Sequence, residues 1–317
     1  MSDTTSDPLR EYERFEREGG VALVARDVVE VSGPDTARYL QGQLSQEVVA
    51  LADGSSTWSL LLQPTGKVDA WVRVHRDLDD HYLVEVDAGF GELVAARLRR
   101  FLLRTKADVT DPGVWTMVAT RRPPTHPVVG EPDEPGPADA LLSGTPPGPG
   151  VAGLDLLNRG TEALVDTASR VGPESYERYR IAHAVPAMGR ELTEETIPAE
   201  AGQWLVDVSV SFTKGCYTGQ ELVARIDSRG GNVPRPVRLV VVEGGSTPAV
   251  GGAVLCGEDE VGHVTSASPW LAHHQPALAL APLKRSVDVG AAVEVETDAG
   301  RAPGIVVEPP FTGHGAG

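Results

Sequence analysis

Val68, Ala70, Val72 and Val74 alternate with polar or large residues in "LLLQPTGKVDAWVRVHR", and a period of two is the signature of a half-buried strand. Turns at Pro64-Thr65-Gly66 and Asp77-Leu78-Asp79-Asp80 bracket that strand, so the stretch reads as an antiparallel meander. Residues 233–317 read as a series of short strands. "VRLVVV", "AVLC", "ALALAP", "AAVEVET" and "GIVV" are β-branched or apolar runs separated by Gly, Pro and Asp, a spacing that predicts a small antiparallel barrel. Helices are fewer. "GPDTARYLQGQ" places Pro34 where a first helical turn tolerates a missing N–H, with Ala37, Leu40, Gln41 and Leu44 at helical spacing. "GFGELVAARLRRFLL" carries an apolar stripe of Phe90, Leu93, Val94, Leu98, Phe101 and Leu102.

The expected class is therefore α+β. Residues 1–120 and 154–232 form one α+β region of two interleaved subdomains, 233–317 form the barrel, and 121–153, dense in Pro and Gly, form a surface loop or linker. The net charge of −17 opposes binding along a phosphate backbone, which needs clustered cations. No apolar run reaches the length of a membrane span. A polar, acidic start and two cysteines 40 residues apart favour a reducing, cytoplasmic setting.

The most informative stretch is "SFTKGCYTGQELVARIDS". It sets one of four lysines, Lys214, two residues before one of two cysteines, Cys216, on a turn with Gly215 and Gly219. Thr218 and Glu221 have capping-box spacing, which predicts a helix starting at Thr218. A helix start favours an anion, and Lys214 would add a cation, so Cys216 is the candidate functional thiol. An anion- or ligand-binding turn is the second reading, and a capped helix with a structural cysteine is the third. The glycine spacing is wrong for a P-loop, and no paired Cys motif supports a zinc site.

"KGCYTGQE" closely resembles the signature of the YgfZ family of folate-binding proteins, which includes mitochondrial iron–sulfur assembly factors and is related to the glycine-cleavage T-protein. "GPDTARYLQGQLSQEVVAL", "LLLQPTGKVDAWVRVHR", "ERYRIAHAVPAMGRELTEETIPAEAG", "VGHVTSASPW" and "ALALAPLKR" resemble further family segments in the same order. The resemblance implies a three-part, ring-like aminomethyltransferase fold that binds tetrahydrofolate or a one-carbon derivative in a central hole. It also implies transient contact with iron–sulfur assembly machinery or its clients. By the same resemblance Cys216 and Lys214 carry any chemistry, and Gly215, Tyr217, Gly219, Gln220, Glu221 and Arg225 belong to the ligand-binding signature. Glu191 or Glu200 would accept the paired donors of a pteridine. One departure concerns activity. T-proteins carry an acidic residue where this chain has Ala70 or Trp71, with Asp69 one or two positions early. The resemblance thus leaves two rivals: a folate-dependent aminomethyltransferase or demethylase, and a tRNA-modification factor.

Overall fold

The computed structural model describes residues 7–78, 80–122, 142–159, 169–228 and 230–312. It contains two curled antiparallel sheets and, among the described residues, six α-helices.

The first sheet has the order β2-β3-β4-β1-β6-β8-β7, formed by β1 Gly20–Ser32, β2 Ser56–Leu62, β3 Val68–Leu78, β4 His81–Asp87, β6 Gly113–Arg121, β7 Leu142–Gly144 and β8 Gly153–Asn158. The short β5, Asp108–Val109, pairs with the end of β1. β1 is long enough to pair with β6 along its first half and β4 along its second. The expected meander is β2, β3 and β4. β7 falls in the segment expected to be loop. Leu142 there is buried, so the sheet gains an apolar edge; residues 123–141 lie outside the described residues.

One face of the sheet is covered by α2 Thr36–Gln43, α3 Gly91–Arg99 and α5 Gln203–Ser209. Val29, Val31, Val72, Val74, Val84, Leu98 and Leu205 belong to that core. The α3 stripe differs from expectation at its ends. Val94 and Leu98 are buried, but Leu93 and Phe101 are exposed. Phe101 lies beyond the last helical turn, where the Arg97 guanidinium covers its ring at 4.2 Å.

The second sheet comprises β9 Val237–Val242, β10 Ala253–Cys256, β11 Asp259–His263, β12 Ser266–Ser268, β13 Ala277–Pro282, β14 Ala292–Thr297 and β15 Gly300–Val307, in the order β11-β10-β14-β15-β9-β13-β12. A bridge between Gly262 and Leu283, with Lys284 N–H donating to Val261 O at 2.8 Å, draws the β11 end of the sheet against the chain leaving β13. Val240, Val254, Val293, Val295 and Val306 fill the interior, and buried and exposed residues alternate along β14 and β15.

Helix α4, Pro173–Ala182, joins the two sheets. Ile181 and Ala182 pack against Leu239, Leu278 and Leu280 of the barrel. Arg178 is buried and donates to Ser268 Oγ, Pro269 O, Gln275 Oε1 and Pro276 O at 2.8–3.0 Å. The N-terminal helix α1, Pro8–Glu18, closes the other side. Phe15 meets Tyr179 of α4, and Glu11 Oε1 accepts Gly172 N–H at 2.9 Å.

Candidate functional site

The signature segment alternates inward anchors with an outward tip. Lys214 and Tyr217 are buried, whereas Gly215 and Cys216 are exposed. The Lys214 ammonium donates to the carbonyls of Gln41, Leu44 and Gln46 at 2.7, 2.7 and 2.8 Å. Gln41 lies in the last turn of α2, whose final carbonyls have no partners within the helix. Burial pulls the Lys214 pKa down to about 8, while three carbonyl acceptors work the other way by favouring the charged form. An ammonium has three protons to donate, so none remains for the Cys216 sulfur. These three bonds give Lys214 an anchoring role. Tyr217 packs in the main core with Lys214 Nζ 5.3 Å from its ring centre, and burial pushes its phenol up to about 12. Its hydroxyl has no hydrogen-bond partner among the described residues.

Helix α6 spans Gln220–Ser228, two residues later than the Thr218 start expected from the capping box. The cause is Gly219. Its φ of +83° is not helical, and a Cβ there would lie 2.6 Å from Gln63 O and 2.7 Å from Leu62 Cβ. Gly66, at φ +79°, shows the reciprocal constraint against Leu222 Cβ at 2.5 Å. The Pro64-Thr65-Gly66 turn and the signature turn thus interlock at two glycines. Gln220 opens α6, and Glu221 and Arg225 pair with each other on its exposed face at 2.8 Å.

The two candidate pteridine acceptors are occupied within the protein. Glu191 is buried, and its oxygens accept from Thr265 Oγ1 and Ser266 Oγ at 2.7 Å, Ala187 N–H at 3.0 Å and Arg180 at 3.1 Å. It binds the barrel to the α4 region. Glu200 accepts the N–H groups of Ile197 at 3.0 Å and Arg235 at 3.2 Å, and burial raises its carboxyl above the usual range.

A cavity of about 880 Å³ lies instead between the first sheet and α4. None of Lys214, Gly215, Cys216, Tyr217, Gly219, Gln220, Glu221, Arg225, Glu191 or Glu200 lines it. Its walls include Trp58, Trp71, Phe90, Tyr176, Tyr179 and Met188. Trp58 and Trp71 lie 4.5 Å apart, and Trp71 Nε1 donates to Ser209 Oγ at 2.9 Å, which fixes the indole.

Beneath the cavity the opposite sheet face, under α1 and α4, carries an ionic ladder across five strands. Glu85 accepts from Arg26 at 2.8 Å, Arg73 at 2.8 and 3.1 Å, and His75 at 2.8 Å. Asp155 takes Arg73 at 2.9 Å and Arg121 at 2.7 Å, and Arg121 donates to Tyr176 Oη at 2.9 Å. Burial opposes the Glu85 charge, but Arg73 and Arg26 hold its carboxyl well below the usual range. Burial holds His75 below its usual value, in the neutral form. With Asp87 paired to Arg26, three arginines meet three carboxylates, which is how a buried ionic cluster avoids an uncompensated charge.

Asp87 stands out on this floor because it is only partly enclosed. One oxygen takes Arg26 and the other Met188 N–H at 2.9 Å. A carboxylate oxygen has two acceptor sites, so each keeps one open. Asp69 does not reach the cavity wall. The β2–β3 register slips between Leu61, opposite Ala70, and Leu62, opposite Val68, leaving Asp69 as the extra residue of a bulge. Its carboxylate pairs with Arg97 of α3 at 3.1 Å. Trp71 alone represents that stretch in the cavity lining.

The ladder and Asp87 escaped the sequence reading. Arg73 and His75 occupy the positions between Val72 and Val74 that an amphipathic strand gives to solvent, yet β3 is buried on both faces. The available signal was a set of charged residues at period two on neighbouring strands, Arg73 with Glu85 across β3 and β4.

No family model matches the sequence. An uncharacterized protein of Haemophilus influenzae is 29% identical over 67% of this chain and 70% of its own length. A mitochondrial iron–sulfur cluster assembly factor IBA57 homolog of Chaetomium globosum is 28% identical over 77% of this chain and 60% of its own. The tRNA-modifying protein YgfZ of Klebsiella pneumoniae is 30% identical over 64% of this chain and 65% of its own. The chain thus spans less than two thirds of the last two relatives. Among solved structures, the glycine cleavage system aminomethyltransferase T of Bartonella henselae superposes with a TM-score of 0.74 at 16% identity, covering 96% of this chain and 89% of that one. The expected α+β aminomethyltransferase fold is therefore the fold observed.

Proposed function

We propose, on the premise that this chain is a homologue of the IBA57 and YgfZ proteins built on the aminomethyltransferase T fold, that it binds a reduced folate and supports assembly or repair of iron–sulfur enzymes. The observation that carries the folate reading is the cavity. Its volume of about 880 Å³ suits a small-molecule site, and it combines aromatic walls with a partly open carboxylate.

The residues present fit such a ligand. Trp58, Trp71 and Phe90 supply apolar faces for a flat heterocycle. A pteridine presents its 2-amino group and N3–H side by side, and Asp87 offers one open acceptor on each oxygen. In this reading Asp87 takes the role that the sequence suggested for Glu191, whose oxygens carry four hydrogen bonds, or for Glu200, which does not line the cavity. A bound folate would supply a carrier for one-carbon units. The chain contributes orientation through Asp87 and exclusion of water through the tryptophans. Cys216 is the proposed functional thiol, displayed at a tip that Lys214 and Tyr217 hold in place.

The aminomethyltransferase reading is disfavoured by Trp71 in the cavity wall and by Asp69 turned to Arg97. The tRNA-modification reading rests on the name of the YgfZ relatives, and the net charge of −17 works against direct contact with RNA.

The test is calorimetric titration with tetrahydrofolate and its 5-formyl derivative. Binding is expected near micromolar, about −8 kcal/mol. Asp87→Asn should weaken it by about 10- to 100-fold, and Glu191→Gln should leave it nearly unchanged. Absence of binding at about millimolar ligand (~ −4 kcal/mol) removes the folate reading. Full binding in Asp87→Asn removes that residue's role.

A further inference from the structure

Helix α3 shows solvent a face that the proposed function does not use. Leu93, Ala96 and Arg100 are exposed along it at helical spacing, and the chain runs on into exposed Phe101 and Leu103. Leu103 is 86% exposed, more than any other large apolar side chain among the described residues. The charge of this stretch is as unusual as its exposure. Residues 93–107, bounded by Glu92 and Asp108, hold five cations and no carboxylate in a chain of net charge −17.

Two of the five cations are committed. Arg97 serves Asp69 and Gln43 at 3.1 Å and Leu62 O at 3.2 Å, and Arg99 serves Asp111 at 2.6 Å. Cations in a last helical turn complement the helix dipole, which accounts for Arg97 and Arg99. The dipole does not account for Arg104 and Lys106, which lie beyond that turn. Arg100, Arg104 and Lys106 are exposed, and their side chains form no ion pair or hydrogen bond among the described residues. Arg104 also holds a φ of +60°, where glycine is the ordinary choice, so a cation is kept there against local preference. The segment is fastened at both ends. The Tyr39 hydroxyl donates to Leu98 O, Lys106 N–H donates to Asp35 Oδ2 at 2.8 Å, and Lys106 O accepts Asp35 N–H at 3.2 Å. A surface held in this way loses little freedom when something binds to it.

We propose that this face docks a partner protein through a segment that mixes carboxylates with apolar side chains. Arg100, Arg104 and Lys106 take the carboxylates, and Leu103 takes the apolar contact. Charge complementarity selects this occupant. Charges are screened beyond about 8 Å at about 0.15 M salt, so a compact acidic epitope meets only the local cations. An RNA strand or an anionic membrane extends past the patch and meets the field of a chain of −17.

The test uses the full chain and a fluorescein-labelled peptide that carries glutamate and leucine on one helical face. It should bind with a dissociation constant of about 10–100 μM at about 0.05 M salt. A control peptide with glutamine in place of glutamate should not bind. Arg100→Glu combined with Arg104→Glu should weaken binding at least about tenfold, as should about 0.5 M salt. Leu103→Ser should weaken it about threefold or more. The three residues are exposed and do not line the cavity, so the variants should keep the wild-type unfolding midpoint and the wild-type response to tetrahydrofolate. Single-stranded RNA and phosphatidylglycerol vesicles are the competing probes, and each should bind at least about tenfold more weakly than the peptide. No peptide binding at about 1 mM, equal binding by the charge-reversed protein, or tighter binding of either competing probe overturns the docking face and leaves the folate reading standing.

Discussion

Replacing Lys214 by Met keeps an unbranched stem and deletes the ammonium. The Gln41, Leu44 and Gln46 carbonyls then lose their shared donor, and the Leu44 bond is fully buried. Hydrogen bonds to a charged group are worth about 1.5–3 kcal/mol each. Three of them, less a desolvation cost of several kcal/mol for burying the ammonium, leave roughly 2–4 kcal/mol. For a chain of this size that is a fall of about 3–6 °C in the unfolding midpoint. Urea unfolding measures the global loss. Hydrogen exchange should show faster exchange in 41–47 and 211–217, the two segments the lysine ties together. The competing account makes Lys214 an electrostatic partner of Cys216. It predicts unchanged stability and slower alkylation of Cys216. A loss below about 0.5 kcal/mol together with slowed alkylation would refute the anchoring argument.

Gly219→Ala should cost about 2–4 kcal/mol in urea unfolding, because the new Cβ meets Gln63 O at a positive φ; Gly215→Ala, with open space around it, should stay within about 0.5 kcal/mol. His183 is buried against the Tyr179 ring at 3.9 Å, and burial lowers its pKa to about 4. The folded value lies below the unfolded value of about 6.5, so the unfolded chain binds more protons between those pH values. The stability due to neutral His183 is present above pH ~6.5 and is lost as pH falls toward ~4, by roughly 3 kcal/mol; His183→Gln should flatten that part of the profile, and an unchanged slope would count against the assignment. In a reconstituted glycine-cleavage assay the chain should give no methylene-tetrahydrofolate, since Asp69 is held by Arg97; robust turnover would reinstate the transferase reading. Cys216→Ser should leave unfolding within about 0.5 kcal/mol, as its side chain is exposed, while abolishing support of iron–sulfur enzymes in cells.

The strand pattern was legible because alternation at Val293 and Val295, or at Val72 and Val74, depends on one sheet and its immediate cover. The signature turn was legible as a place but not as a geometry. Its Gly219 faces a second turn more than 150 residues earlier in the chain, and nothing local reveals that it must clear Gln63 O. The anchoring of Lys214 was hidden for the same reason. Its sequence neighbour is Cys216, but its acceptors belong to α2 and the loop after it. Glu191 was recognised as a glutamate that matters, and its position explains why without a ligand, since it fastens the barrel through Thr265 and Ser266. The ionic ladder was hidden because charged residues on a strand are read as solvent-facing, and only the covering α1 and α4 make that face an interior.

Helix α4 belongs to two environments within ten residues. Tyr176 and Glu177 form cavity wall, while Ile181, Ala182 and Arg178 seat the barrel. A rigid rod with a ligand at one side and a domain at the other is a lever. By thermodynamic reciprocity, whatever factor cavity occupancy contributes to the preferred seating of the barrel, a protein that grips the barrel contributes equally to ligand affinity. On the proposed function, a client protein that grips the barrel would sense a loaded cavity without touching it, and its departure would loosen the ligand.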